Sequence, residues 1–341
     1  MRTLITVSKP ELKKVLFSED SIRLLQSFSD VDWVEENVKL TSEELAGMIG
    51  GYDACITSWG TPRFTRDVLE KANKLTFIGH AAGTVVPLLD EYVFELPIQV
   101  VSANAPLAKT TAEGVIAMML TGSWKLWEYN NNLKRGYFST NYETVMGLSG
   151  QTVGIIGFGE VAREVIRLIK PFEPRILVYD KYVDPQVIES FGAEPSGLEE
   201  LLRASGIVSL HCALTPETAG LVGREQLSMM RDGSLLLNTA RGPVVDEEAL
   251  LAELRSERIY AVLDVYNQEP LPMNHELLQL SHAFCLPHVG AYQRYWKSRF
   301  GLYVIEQLNK IVAGEIPQGV ITRTRFQGMT RKLDDYPTQG R

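Results

Sequence analysis

Residues 151–180, QTVGIIGFGEVAREVIRLIKPFEPRILVYD, constrain the fold more than any other part of the chain. The stretch opens with an apolar run, 153–156, that reads as a buried strand. Gly157-Phe158-Gly159-Glu160-Val161-Ala162 follows and matches G-x-G-x-x-G/A. Apolar residues then fall at Val161, Val165, Ile166, Leu168 and Ile169, the spacing of one helical face. Pro171 and Pro174 stop that pattern. A second apolar run, 176–179, ends in Asp180. The order is strand, glycine turn, helix, strand, acid.

Each part of that order has a physical task. Gly157 permits a tight turn. Gly159 has no Cβ, so backbone can approach a pyrophosphate, and Ala162 lets helix and strand pack closely. The helix N-terminus points unpaired N–H groups and its positive dipole end at the phosphates. Asp180, roughly 20 residues past the glycines, is placed to accept hydrogen bonds from a ribose 2′-OH. A glycine motif alone is weak, but here strand, helix and acid occur in the required order. The bland alternative is a βαβ unit whose glycines serve only the turn.

At 341 residues the chain is long enough for two domains. A hydrophobic content of 45% and a charged content of 22% are those of an ordinary globular protein. The net charge of −8 argues against a nucleic-acid partner, and no basic stripe is present. The N-terminal apolar run is too short for a signal peptide, and no stretch approaches the ~18 apolar residues of a membrane span. Cys55, Cys212 and Cys285 are odd in number and scattered. They fit reduced thiols in a cytoplasmic protein, with neither a disulfide framework nor a metal site expected.

Residues 1–103 alternate short apolar runs with helical patterns. Strands are expected at 4–7, 31–34, 54–57, 75–79 and 98–101, and helices at 10–28 and 65–72. Such alternation implies a parallel sheet with helices on its faces. Residues 110–129 read as one long helix, frayed by Asn130, Asn131 and Asn132, that suits a link between domains. The pattern then resumes, with strands expected at 207–210, 234–237, 261–263 and 283–286. Asp246 is a good N-cap for a helix over 247–255. Residues 292–313 read as a helix leading the chain back to the first domain. The tail, 322–341, is polar and aperiodic and reads as solvated or loosely docked.

The distinctive polar residues fall just after these strands: His211 and Cys212, then Thr239 to Arg241, then Asp264 and Glu269, then His288. In a parallel open sheet, ligands bind beyond the carboxyl ends of the strands. A nicotinamide enzyme needs positioning, a proton donor and a charge clamp, because the cofactor carries the hydride chemistry. Arginine's planar fork suits a carboxylate, which nominates Arg241. A carboxylate beside an imidazole stabilises the protonated ring, which nominates Glu269 with His288 as acid and base. Structural alternatives stand beside these readings: Arg241 as a cap or ion pair, and Glu269 as a turn initiator before Pro270. His275 and His282 read as surface residues and His211 as a strand-end residue. His80, before Ala81-Ala82-Gly83, reads equally as a substrate contact or a loop histidine.

GIIGFGEVAREV with Asp180, LHCALTPETAGLVG, LLNTARGPVVDEEAL, LDVYNQEP and PHVGAY resemble, in order, the motifs of the D-isomer-specific 2-hydroxyacid dehydrogenases. FIGHAAGTVVPLLDE is similar to the family's substrate-loop region. The resemblance implies an α/β fold of two doubly wound parallel-sheet domains. A Rossmann-type NAD-binding domain, 104–292, would be inserted in a discontinuous flavodoxin-like substrate domain, 1–103 with 293–341. It implies NAD as cofactor, a small 2-hydroxy or 2-oxo acid as substrate, and a homodimer. Arg241, Glu269 and His288 are then the catalytic set. Gly157, Gly159, Glu160, Val161, Asp180, Cys212, Thr239, Ala240, Asp264 and Gly290 are assigned to the cofactor, Asp264 through the carboxamide. His80, Ala82, Gly83 and Arg241 are assigned to the substrate. The chain departs from the family pattern at Ala213, at Val85 and Val86, and at Tyr292, Tyr295 and Trp296. With Trp59 and Trp124, those aromatic residues read as either pocket walls or interface packing. A non-catalytic, NAD-responsive co-repressor on the same fold is the competing function.

Overall fold

The computed structural model describes residues 1–138 and 145–331. Two compact units divide it, Met1–Ala108 with Tyr292–Arg331, and Lys109–Ala291. The sequence expectation put the boundaries at 103/104 and 292/293. The difference lies in the helix Asn104–Ser123, whose first residues cluster with the first unit.

The first unit carries a five-stranded parallel sheet of β1 (Arg2–Ile5), β2 (Asp30–Trp33), β3 (Ala54–Thr57), β4 (Phe77–His80) and β5 (Gln99–Ser102), in the order β2-β1-β3-β4-β5. This is the flavodoxin-like order. Alternate residues feed opposite faces: Leu4, Cys55, Ile78 and Val100 enter one core, and Ile5, Ile56, Phe77 and Val101 the other. The inner strands β3 and β4 are buried along their whole length, whereas the edge strand β2, Asp-Val-Asp-Trp, stays partly exposed.

The second unit holds β6 (Thr152–Ile156), β7 (Arg175–Tyr179), β8 (Glu194–Pro195), β9 (Ile207–Leu210), β10 (Leu235–Asn238), β11 (Tyr260–Leu263) and β12 (Ala283–Cys285). Their order is β12-β11-β10-β9-β6-β7-β8, all parallel. Six of these follow the doubly wound dinucleotide order, and β12 extends one edge. Val153, Ile155, Ile207, Leu235, Leu237 and Val262 fill one face, and Val208, Leu210, Leu236, Ala261 and Leu263 the other. Each buried Leu or Ile contributes about 1.5–3 kcal/mol of apolar transfer. The chain runs outward from β6 in one direction and returns from β9 in the other. The β6/β9 junction is therefore the switch point, where such sheets open a crevice.

Three expectations need correction. The helix expected over 10–28 is two helices, Pro10–Leu16 and Glu19–Gln26, because Ser18 accepts from the Ser21 N–H and caps a new start. The helix expected over 110–129 breaks at Lys125, which is left-handed at φ 52, and a second helix, Leu126–Lys134, carries through the three asparagines instead of fraying there. The tail, expected to be aperiodic and solvated or loosely docked, forms the helix Arg323–Gln327 and buries Phe326 to 2% exposure. Residues 332–341 of that tail lie outside the described residues.

Candidate active site

Gly157 closes β6 at φ +92, a backbone region that L side chains rarely adopt. A Cβ there would lie 2.6 Å from the Cys212 nitrogen and 2.7 Å from its Cα. The glycine turn thus presses on the segment leaving β9, and His211 N–H donates to the Ile156 carbonyl at 2.8 Å across the same junction. Gly159 is different. Its φ is ordinary at −76, and a Cβ would meet nothing within 4 Å. It caps the helix Glu160–Ile169 without a side-chain hydrogen bond. The helix start therefore presents backbone N–H groups beside open space, the arrangement that receives an anion. Glu160 and Val161 form its first turn, and Ala162 is buried against the sheet.

Asp180 follows β7 and faces this turn. Its Oδ2 accepts from the Phe158 N–H at 2.7 Å, and its Oδ1 from the N–H groups of Tyr182 and Val183 at 2.9 and 3.1 Å. A carboxylate has about four acceptor positions, so these three bonds leave capacity for a hydroxyl. Cys212 lies near enough for the Asp180 charge to act on it. Burial, the larger cause, pushes the thiol up to about 11. The thiol is therefore held protonated beside the turn.

Asn238, the last residue of β10, is 2% exposed and uses both ends of its amide. Its Oδ1 accepts from Ala240 N–H at 3.1 Å, and its Nδ2 donates to the Arg241 carbonyl at 3.0 Å. The amide clips the Thr239–Arg241 turn into shape. The Thr239 hydroxyl oxygen is shut from solvent and has no hydrogen-bond partner among the described residues. A buried hydroxyl left so costs about 1–3 kcal/mol, which fits a site completed by a ligand. Arg241 donates from Nη1 to the Ala240 carbonyl at 2.6 Å, and its other N–H groups meet no protein acceptor among the described residues. Burial lowers its affinity for its proton, and the Glu269 carboxylate opposes that. Gly242 explains how the two segments come so close: a Cβ there would lie 2.0 Å from the Tyr266 carbonyl carbon.

The segment after β11 grips the loop after β12 at several points. Glu269 Oε2 meets His288 Nδ1 at 2.7 Å, and Glu269 Oε1 accepts from the Tyr266 N–H at 3.0 Å. Asp264, 1% exposed, accepts from the Val289 N–H at 2.7 Å and the Gly290 N–H at 2.8 Å. Burial raises the Asp264 carboxyl above its ordinary range, while those two bonds and the His288 charge pull it back. Each Asp264 oxygen accepts one N–H of the histidine loop, which leaves further acceptor positions on the carboxylate. Gly290 packs tightly in turn: its carbonyl oxygen would lie 2.3 Å from a Cβ on Gly114. His288 is held at φ +55, in the left-handed region. A non-glycine residue kept there by so many contacts is a strained, over-determined feature of the kind that collects at functional sites.

In the first unit, His80 ends β4. It is buried and bonds through Nδ1 to Thr57 Oγ1 at 2.9 Å. Burial lowers it to about 4, so the ring is neutral at ordinary pH. Ala82 and Gly83 are buried, yet their N–H groups donate to no protein acceptor among the described residues. Val85 and Val86 point into the core of this unit. His211 pairs with Ser209 at 2.9 Å, and burial lowers it too to about 4.

Arg241, Glu269, His288 and the residues assigned to the cofactor all lie at the carboxyl ends of one sheet. Three contributors escaped the sequence reading: Asn238, Tyr266 and Gly242. Asn238 had a readable signal, a lone amide closing the apolar run Leu235-Leu236-Leu237. The other two act through backbone approach and a carbonyl pair, which residue type does not announce. Among the described residues no cluster of three or more His, Cys, Asp or Glu could hold a metal.

Residues 116–290 match the family model of the D-isomer specific 2-hydroxyacid dehydrogenase, NAD binding domain. The chain is 35% identical over 321 residues to a D-3-phosphoglycerate dehydrogenase of Methanocaldococcus jannaschii, a match covering 93% of this chain but only 60% of that protein. It is 30% identical over 312 residues to a glyoxylate reductase of Aeropyrum pernix, covering 89% of this chain and 93% of the relative. The crystal structure of a Thermus thermophilus protein superposes with a TM-score of 0.73 at 30% identity, covering 94% of this chain and 100% of that one.

Proposed function

The chain belongs to the D-isomer-specific 2-hydroxyacid dehydrogenase family, and we propose that it interconverts a small 2-hydroxy acid and its 2-oxo acid with NAD(H). The observation that carries this reading is the 2.7 Å bond between Glu269 Oε2 and His288 Nδ1, beside the open guanidinium of Arg241. The uncapped helix start, the open face of Gly159, the spare acceptor of Asp180 and the unpaired Thr239 hydroxyl together suit a dinucleotide. NAD(H), when bound, supplies or accepts the hydride.

The chain's own residues do the rest. Arg241 fixes the carboxylate and polarises the carbonyl of the acid. His288, with Nδ1 held by Glu269, has Nε2 free to give a proton to the carbonyl oxygen in reduction and take it back in oxidation. Glu269 stabilises the imidazolium and fixes the tautomer. In the first unit, the unpaired N–H groups of Ala82 and Gly83 are assigned to the substrate carboxylate, with His80 as a neutral neighbour. Asp180 favours NAD over its 2′-phosphorylated form, since a carboxylate repels a phosphate.

A homodimer is part of the reading. Trp124, Leu126, Leu133, Tyr137 and Phe138 are exposed in and around the helix Leu126–Lys134, apolar groups that a second copy of the chain would cover. Light scattering should give twice the chain mass. The cytoplasmic assignment rests on three unpaired thiols, Cys55, Cys212 and Cys285. No helix among the described residues is long and apolar enough to cross a membrane.

The test is a turnover assay with NADH and a panel of 2-oxo acids, including glyoxylate, hydroxypyruvate and its phosphate ester. Steady oxidation of NADH by at least one acid is expected. Binding of NADH without turnover of any would instead support the co-repressor reading.

A further inference from the structure

We propose that Tyr266 is a positioning residue for the proton-transfer pair and acts on both of its members. The inference rests on the roles given above to Glu269 and His288. Tyr266 lies just after β11, with its side chain turned inward and 7% exposed. Its backbone N–H donates to Glu269 Oε1 at 3.0 Å, which sets the carboxylate's rotation and leaves Oε2 for His288 Nδ1. Its phenolic O–H donates between two carbonyls, Leu263 at 3.0 Å and Leu286 at 2.8 Å. Leu263 ends β11, and Leu286 directly follows β12. One phenol therefore ties together the two strand ends that carry the pair.

The Leu286 carbonyl is the pivot of the histidine's turn. It also accepts from the His288 N–H at 3.1 Å, across Pro287, and this closure accompanies the left-handed φ of His288. Asp264 fixes the far side of the same loop through Val289 and Gly290. The phenol thus braces the near side and Asp264 the far side, with His288 between them. Packing alone does not call for the hydroxyl, since a phenylalanine ring would fill the same place in the core cluster. The titratable groups acting on the phenol are Cys285 and Asp264, and burial keeps its proton on, so it remains a donor.

The experiment uses the full chain with Tyr266→Phe. The value of kcat/KM for the 2-oxo acid reduced best by the wild type should fall on the order of tenfold, the worth of one buried hydrogen bond. NADH affinity, read by fluorescence, should not change. The loss should fall on kcat more than on KM, and the ring resonances of His288 in the ligand-free protein should shift at fixed pH. In a His288→Asn background, Tyr266→Phe should change nothing further. A wild-type rate and wild-type His288 ring resonances, with only the unfolding temperature lowered, would make the hydroxyl a structural brace and overturn the proposal. If Tyr266→Phe does not fold, a ring-fluorinated tyrosine at 266 keeps the shape and makes the phenol more acidic. A new alkaline loss of rate is then expected, and a profile identical to wild type overturns the proposal. A wild-type protein that turns over no acid refutes the parent reading alone, because the His288 ring resonances still decide whether Tyr266 positions the pair.

Discussion

Replacing Gly157 by alanine tests the glycine turn in numbers drawn from its surroundings. The added Cβ would lie 2.6, 2.7 and 2.9 Å from three backbone atoms of Cys212 and His211. Ordinary carbon contacts lie near 3.5–4.0 Å, so the turn and the β9 end must separate by on the order of 1 Å. The positive φ adds about 1–2 kcal/mol, and overpacking against backbone adds about 1–3 kcal/mol. The total of about 2–5 kcal/mol falls on the β6/β9 junction and is shared between stability and cofactor affinity. Calorimetry should show a lower unfolding temperature, and fluorescence titration an NADH dissociation constant raised at least tenfold, about 1.4 kcal/mol. Gly159→Ala is the matched control. Its Cβ meets nothing within 4 Å and its φ is ordinary, so stability should hold while NADH affinity falls. A Gly157→Ala protein with wild-type melting, or a Gly159→Ala protein with wild-type NADH affinity, would refute the reasoning.

Glu269→Gln removes the charge beside His288. A charge-assisted hydrogen bond is worth about 1.5–3 kcal/mol, and the exposure of the pair discounts it toward the lower end. Reduction should slow roughly tenfold with the NADH dissociation constant unchanged; a wild-type rate would contradict the pairing. Asp180→Ser should shift cofactor preference toward NADPH, measured as the ratio of kcat/KM values, and an unchanged ratio would remove Asp180 from ribose recognition. His80 and His211 are both pushed down to about 4 by burial, whereas an unfolded chain takes up their protons near 6.5. A depressed folded value means stability is lost as pH falls through that window, by about 2 kcal/mol for each histidine near pH 5. Urea unfolding at neutral pH and near pH 5 should show this loss, and His211→Asn should remove its share. An equal loss in the variant would show that His211 is not held neutral.

The fold was readable where local pattern and tertiary packing agree. Residues 54–57 and 207–210 are strands at the expected bounds, because each is an apolar run buried on both faces. Asp246 caps the helix Glu247–Arg255 as its residue type suggests, accepting from Ala249 N–H at 3.0 Å. The break at Lys125 was not readable, since it comes with a distant contact: the ammonium lies 2.6 Å from the Tyr260 hydroxyl and 3.9 Å from its ring centre. Phe326 looked like one apolar residue in a polar tail, and its place in the core cluster of the first unit, edge-on to Phe94, shows why it is buried. The helix Ser42–Met48 carried a legible signal, the capping box of Thr41 and Glu44, that the apolar pattern obscured. At the site, Arg241, Glu269 and His288 were nominated by side-chain chemistry. Gly242 and Tyr266 went unnoticed because the close backbone approach of one and the carbonyl partners of the other are set by the fold, which residue type does not reveal; Asn238 carried a signal, the lone amide closing an apolar run.

The most direct measurement is single-turnover hydride transfer in His288→Asn. The NADH complex is mixed with the 2-oxo acid that the wild type reduces best, and the decay of NADH absorbance is followed. Loss of the proton donor should slow that decay by about 10²–10⁴-fold while the NADH dissociation constant stays at the wild-type value. Decay at close to the wild-type rate would show that the imidazole beside Glu269 moves no proton in the reaction.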